Sequence, residues 1–185
     1  MSNIFKKNKI SVVFNPIVKT HEEDNTYNPK SKYIIFAGRL TDSKGIVELI
    51  SSWEKANIVN LDLYRLGDGP LKKYVEKKSK ELDNLIYLGF KQPHETVQYI
   101  NISRAVVTAT KNYEGQPRIL TEASANSVPS IFPEFGGMSE YFPEKYPLKF
   151  KQFDYEDLIS KLYFLKNQEF LNEQSSMVND YIKKT

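Results

Sequence analysis

Four charged residues, Arg39, Lys44, Glu114 and Glu122, follow two short apolar runs of this chain and are its first candidates for chemistry. Arg39 and Lys44 follow a short apolar run, Tyr33–Ala37, in the stretch Gly38-Arg39-Leu40-Thr41-Asp42-Ser43-Lys44-Gly45. Two cations beside the free N–H groups of a helix start make an anion site suited to phosphate. Asp42 or Ser43 is placed to cap that helix, which puts Lys44 in its first turn. A cation there opposes the helix dipole, so stability alone would not select it. Solvated surface cations are the other reading. Glu114 and Glu122 follow a second apolar run, Ala105–Ala109, with Glu114 in a loop and Glu122 about two turns into the next helix. With 15 glutamates in the chain, a pair eight apart is expected by chance. Arg118 and Glu122 also have the i,i+4 spacing of a helix ion pair.

Three glycine-bearing turns complete the set. Gly67-Asp68-Gly69-Pro70 follows Leu61–Leu66 and permits either close approach of a ligand or an ordinary turn into a helix. In that second reading Pro70 sits in the first helical turn. Gly89-Phe90-Lys91-Gln92-Pro93 follows Leu85–Leu88, and its Phe90 either borders a flat base or packs inside. Gly136-Gly137 follows Ser130–Phe132 and leads into a short helix, as a nest of N–H groups for an anion or as a plain turn.

The elements that carry these loops alternate. Ser11–Phe14, Tyr33–Ala37, Leu61–Leu66, Leu85–Leu88, Ala105–Ala109 and Ser130–Phe132 read as buried strands. Between them Ser43–Ala56 places Ile46, Leu49, Ile50 and Trp53 on one helical face. Pro70–Asp83, Pro93–Ile100 and Gln116–Asn126 continue the alternation. The pattern predicts an α/β, three-layer Rossmann-like domain, a parallel sheet with helices on both faces. Ligands of such sheets bind at the carboxyl ends of the strands, and all five loops lie on that edge. Residues 1–17 read as a linker and first strand, 18–32 as a polar loop, 33–166 as the Rossmann-like domain and 167–185 as a C-terminal helix. Asp154–Lys184 is helical in pattern, with a break near Asn167.

Composition narrows the chemistry. The 185 residues suffice for one domain with a core. There is no cysteine, and His21 and His94 are the only histidines, so a cysteine nucleophile and multi-histidine metal sites are excluded. A net charge of +3 is small for a nucleic-acid binder. No apolar run approaches the roughly 20 residues of a membrane span, and Ile10–Phe14 is short for a signal-peptide core. The expected location is cytoplasmic. Lysines around Lys72–Lys80 and at Lys183-Lys184 offer peripheral contact with an anionic membrane, or are simply solvated helix faces.

From about Lys9 to Glu140 the sequence resembles the C-terminal, nucleotide-sugar-binding domain of a GT-B glycosyltransferase, family 4 (glycosyl transferases group 1). The residues carrying the resemblance are Gly38-Arg39-Leu40 with Lys44-Gly45, Gly67-Asp68-Gly69-Pro70 with Leu71, and Leu88-Gly89-Phe90. They continue with Glu114, Gly115, Pro117 and Glu122-Ala123, then Val128-Pro129, then Gly136-Gly137 and Glu140. Asn15-Pro16-Ile17 resembles the entry into the second domain of such enzymes. Two departures stand out: Gln116 where an aromatic is common, and Ser127 where a glycine is usual.

The resemblance implies roles. Arg39 and Lys44 would bind the donor diphosphate, with Gly38 and Gly67 beside it. Glu122 would hydrogen-bond the ribose hydroxyls, and Gly89, Phe90 and Lys91 would flank the base. Glu114 would lie near the sugar, lined by Gly115, Gln116 and Pro117, with Gly136 and Gly137 closing the site. Arg39, Lys44 and Glu114 are thus the expected catalytic set. The implied reaction is a retaining transfer from a nucleotide diphosphate sugar, with no cofactor and no metal. The partners implied are the nucleotide sugar and an N-terminal acceptor domain, in cis or as a separate subunit, and nothing before Lys9 can be that domain. Without it the chain is expected to bind donor but transfer nothing. A GT-B sugar-nucleotide epimerase domain and a non-catalytic nucleotide-sugar-binding subunit are the competing readings.

Overall fold

The computed structural model describes residues 27–183. The expected strand Ser11–Phe14, the linker around it and the first part of the polar loop lie outside the described residues.

Among the described residues six parallel strands form the sheet: β1 (Tyr33–Ala37), β2 (Asp62–Leu66), β3 (Leu85–Gly89), β4 (Val106–Val107), β5 (Ser130–Pro133) and β6 (Lys149–Phe150). Their order is β3-β2-β1-β4-β5-β6. The direction of strand progression reverses between β1 and β4, and that switch point opens a crevice at the carboxyl edge. β1 and β2 are matched residue for residue, from Tyr33 opposite Asp62 to Ala37 opposite Leu66. Ile34, Ile35 and Phe36 are buried, as central strands covered on both faces require.

The helices are α1 (Ile46–Ala56), α2 (Lys72–Glu81), α3 (Pro93–Asn101), α4 (Arg118–Ala125), α5 (Tyr155–Tyr163) and α6 (Gln168–Ile182). α1 packs with α5, while α4 packs with α3 and α6, so the sheet is covered on both faces. This is the three-layer α/β architecture that the alternation predicts. The predicted face of α1 is the buried one: Ile46, Leu49, Ile50 and Trp53 are inaccessible to solvent, and Trp53 Nε1 donates to Asn84 O at 3.2 Å.

The expected break between the last two helices falls at Asn167. A 3-10 turn, Phe164–Lys166, ends α5, and the Asn167 side chain caps α6 by accepting from Phe170 N at 3.0 Å. Of the apolar residues near the chain end, Leu171 is buried against this domain and Phe170 half-buried, while Tyr163 and Phe164 remain exposed.

Several boundaries differ from the sequence expectation. β4 holds two paired residues of the five expected, and β6 is not foreseen because two residues are too few for an alternating pattern. α2 begins at Lys72, so Pro70 lies ahead of it. α4 begins at Arg118 after Pro117, so Gln116 is outside it. The largest correction concerns Lys44. It does not sit in the first turn of α1, and neither Asp42 nor Ser43 caps that helix. Asp42–Lys44 is a separate 3-10 turn, and Gly45, at φ 64°, resets the backbone before α1 starts. Only glycine fits there. A Cβ would lie 1.8 Å from Ala109 O, in a conformation that L side chains resist.

Candidate functional site

Two adjoining cavities occupy the crevice beside β1. The larger, of about 460 Å³, is lined by Gly38, Arg39, Gly67, Phe90, Lys91 and Glu122 among others. The smaller, of about 40 Å³, is a nook lined by Gly38, Lys44, Glu114 and Pro117 with Phe36, Thr108 and Thr110. Ala37, Gly38 and Ile119 line both, which makes the nook the inner end of one cleft. Loops after β1, β2 and β3 and helix α4 therefore bring most of the candidate residues together. Gly89, Gly115, Gln116, Gly136 and Gly137 line neither cavity. Gly137 acts from behind, its N–H donating to Glu114 O at 2.9 Å. Gly89 instead closes the β2–β3 edge, accepting from Gly67 N at 2.9 Å.

The charged residues divide the cleft. Arg39 is exposed at its entrance. Lys44 forms an ion pair with Glu114 in the nook, both side chains partly shielded. Glu122 is held by Arg118 Nη2 at 2.9 Å, the i,i+4 pair that the spacing allows. The Glu122 carboxyl is only 13% exposed. Burial pushes its pKa above the usual carboxylate value, and Arg118 works against that rise. Phe90 is 63% exposed, which settles its alternatives in favour of a ring that borders the cavity.

The Glu114 loop is tied down on several sides. Lys111 Nζ bridges Asp42 Oδ1 at 2.6 Å and Glu48 Oε1 at 2.9 Å, which drives its pKa well up. Lys111 N donates to Ser43 O at 2.8 Å, and Thr110 Oγ1 lies 3.2 Å from the same carbonyl and 3.4 Å from Glu114 Oε1. Gln152 Nε2 donates to Thr110 O at 3.3 Å from beyond β6. The loop that carries Glu114 is thereby fastened to the turn that carries Lys44. Tyr113 and Phe135 meet edge to face at 6.0 Å on its outer side, both exposed.

Sequence reasoning missed Phe36, Asp68, Thr96, Thr108, Thr110 and Lys111. Thr110 follows directly on a predicted strand, and Thr108 is the last but one residue of that strand, so the rule that ligands gather at strand ends would have found both. Lys111 and Phe36 carry no such signal, since their positions follow from packing. Among the described residues no group of three or more His, Asp or Glu is placed to hold a metal ion, and no helix is long and apolar enough to cross a membrane.

A parallel sheet of this order, covered by helices on both faces, has the architecture of one half of a GT-B fold. Residues 18–185 match the model of glycosyl transferases group 1, and the chain belongs to that family. It is 26% identical over 136 residues to the amylovoran biosynthesis glycosyltransferase AmsD of Erwinia amylovora, covering 71% of this chain and 39% of that protein. TarM of S. aureus, solved as a mutant in complex with UDP among other ligands, superposes with a TM-score of 0.79 at 19% identity, over 96% of this chain and 38% of that one. The lipopolysaccharide outer core galactosyltransferase WaaB superposes with a TM-score of 0.68 at 22% identity, over 97% and 55%. The chain thus spans about two fifths of the length of AmsD. The chain is a glycosyltransferase domain of the family-4 type.

Proposed function

We propose that this chain is the donor-binding half of a retaining glycosyltransferase that moves a sugar from a nucleotide diphosphate sugar to a glycan or lipid-linked acceptor. The observation that carries the reading is the single cleft in which Arg39 and Glu122 share the outer cavity and Lys44 and Glu114 the inner nook. A nucleoside fits the outer cavity, with Phe90 and Lys91 at the base and Glu122 on the ribose. The diphosphate then runs past Arg39 to Lys44, and the sugar reaches Glu114. Pro117 lines the sugar end, and Gly115, Gln116, Gly136 and Gly137 hold the loop around it.

The difficult step is breaking the glycosidic C–O bond, which builds negative charge on the leaving phosphate. Arg39 and Lys44 are fixed cations facing that charge, and preorganised electrostatics of this kind supplies much of a catalyst's effect. The family reaction is same-face attack with the leaving phosphate taking the acceptor proton. Glu114 then orients the sugar and holds Lys44 in place, and needs no covalent intermediate. An acceptor domain, in cis or as a partner subunit, completes the cleft. AmsD is named for amylovoran biosynthesis and WaaB as a lipopolysaccharide outer core galactosyltransferase, which supports a polysaccharide or lipopolysaccharide acceptor for this chain.

A thermal-shift panel of UDP, GDP, ADP and CMP with their sugars tests the reading. The matching nucleotide raises the melting temperature as RT ln(1 + [L]/Kd) requires. UDP is the first probe, because TarM was solved with it. No shift with any nucleotide at millimolar concentration removes the donor assignment.

A further inference from the structure

An arginine interrupts the apolar run of β2. Arg65 is fully buried, and its Nε, Nη1 and Nη2 have no hydrogen-bond partner. Buried charges are ordinarily paired, because an uncompensated one forfeits its hydration. What Arg65 has is an aromatic ring: its guanidinium carbon lies 4.4 Å from the centroid of Phe36, its register partner on β1. Burial pulls its pKa down to about 9, with Tyr74 opposing, so the group is charged at neutral pH.

Phe36 lines the nook that holds Lys44 and Glu114, while Arg65 lines neither cavity. The unpaired charge therefore stands behind one wall of the nook, with a ring between. Protein matter screens weakly compared with water, so the charge is felt in the nook. Within the nook Lys44 is already neutralised by Glu114.

We propose that Arg65 is a positioning residue for the donor diphosphate, a buried cation left unpaired in the empty domain and compensated when phosphate charge enters the nook in front of Phe36. This rests on the donor-site reading above. It also explains why β2 tolerates a fully buried charge at Arg65, whereas Asp62, its other charged residue, is only half-buried at the start of the strand.

The test compares the wild-type chain with Arg65→Met, which keeps an unbranched apolar stem and removes the charge. Affinities are measured by calorimetry for UDP, GDP and ADP and for UMP, GMP and AMP. Arg65→Met is expected to bind the preferred diphosphate about 10-fold more weakly and its monophosphate about 3-fold or less, since the charge acts on phosphate charge. Arg65→Lys keeps the charge and is expected to restore most of the diphosphate preference. A purely structural role would shift both nucleotides alike. Equal losses for the two, or no loss, overturn the proposal and leave the donor site standing. A wild-type chain that binds none of the six overturns both. If Arg65→Met does not fold, Arg65→Gln carries the same comparison.

Discussion

Lys44 and Glu114 are 70 positions apart in the chain and form one ion pair at the floor of the cleft. Each arrives from a loop that follows a strand on either side of the switch point, β1 for Lys44 and β4 for Glu114. The cation expected to meet a phosphate is therefore held by a carboxylate of the same site. In the proposed donor site an incoming phosphate would compete with Glu114 for Lys44 and leave Glu114 free for the sugar.

That competition gives opposite outcomes for the two partners. Lys44→Ala removes a charge-assisted hydrogen bond, worth about 1.5–3 kcal/mol, and should weaken nucleoside diphosphate binding about 10- to 150-fold. Glu114→Gln removes the competitor and should tighten the same binding about 3-fold while abolishing sugar transfer by the complete enzyme. Both side chains are partly exposed, at 31% and 22%, so the pair contributes no more than about 1 kcal/mol to stability. Calorimetry beside a thermal melt checks this, and an unchanged affinity in Lys44→Ala removes Lys44 from the phosphate site.

Glu122 should leave a signature in pH. Burial raises its folded pKa above the unfolded value of 4.5, with Arg118 limiting the rise. A carboxyl with a raised folded pKa binds protons better in the folded state, so its ionisation costs stability at neutral pH. That cost is relieved as pH falls through the folded value toward 4.5. Glu122→Gln should therefore melt slightly higher than the wild type at pH 7 and lose the advantage near pH 4. The same variant should bind nucleotide about 10-fold more weakly if Glu122 holds the ribose. A lower melting temperature at pH 7 would show that the Arg118 contact outweighs the burial.

Two glycines of the site should behave differently. Gly45→Ala places a methyl group into Ala109 O at a positive φ, and should cost about 3 kcal/mol or more in urea unfolding. Gly115 has open space around its Cβ position and needs no special φ. Gly115→Ala should leave stability within about 0.5 kcal/mol of the wild type. Gly115 lines neither cavity, so any loss of donor-sugar binding in that variant is an effect passed on through the Glu114 loop.

The fold was legible because its signals are local. Among the described residues, five strands and six helices follow from periodicity, with the break near Asn167 between the last two. The site was legible in outline because strand ends converge on one edge. The pairing of Lys44 with Glu114 was not, since it depends on how two distant loops approach each other. The placing of Lys44 in a helix failed for a related reason. Gly45 reads locally as a permissive helix residue, yet its φ is dictated by the close passage of Ala109. Arg65 went unremarked within Leu61–Leu66 because Leu61, Leu63, Tyr64 and Leu66 are enough to read as a buried strand despite Asp62 and Arg65.

Ser127 shows a family departure becoming a physical cost. α4 ends at Ala125, and Ser127 then takes φ 59°, the left-handed conformation that usually falls to glycine. Ser127 N donates to Ser124 O at 3.0 Å and Val128 N to Ala123 O at 2.9 Å, the paired bonds of a Schellman turn. Val128, fully buried, fixes the turn from beyond. The geometry is thus imposed by packing, and serine accepts it at a penalty of about 1 kcal/mol for the Cβ. Ser127→Gly should recover part of that, against the extra entropy of glycine in the unfolded chain. The net expectation is a gain of about 0.5 kcal/mol or less in urea unfolding, with nucleotide affinity unchanged because Ser127 lies at the far end of α4 from the cleft. Ser127→Val, β-branched at the same φ, should lose about 1–2 kcal/mol. A Ser127→Gly chain no more stable than the wild type would mean that the side chain itself, and not the turn, sustains the end of α4.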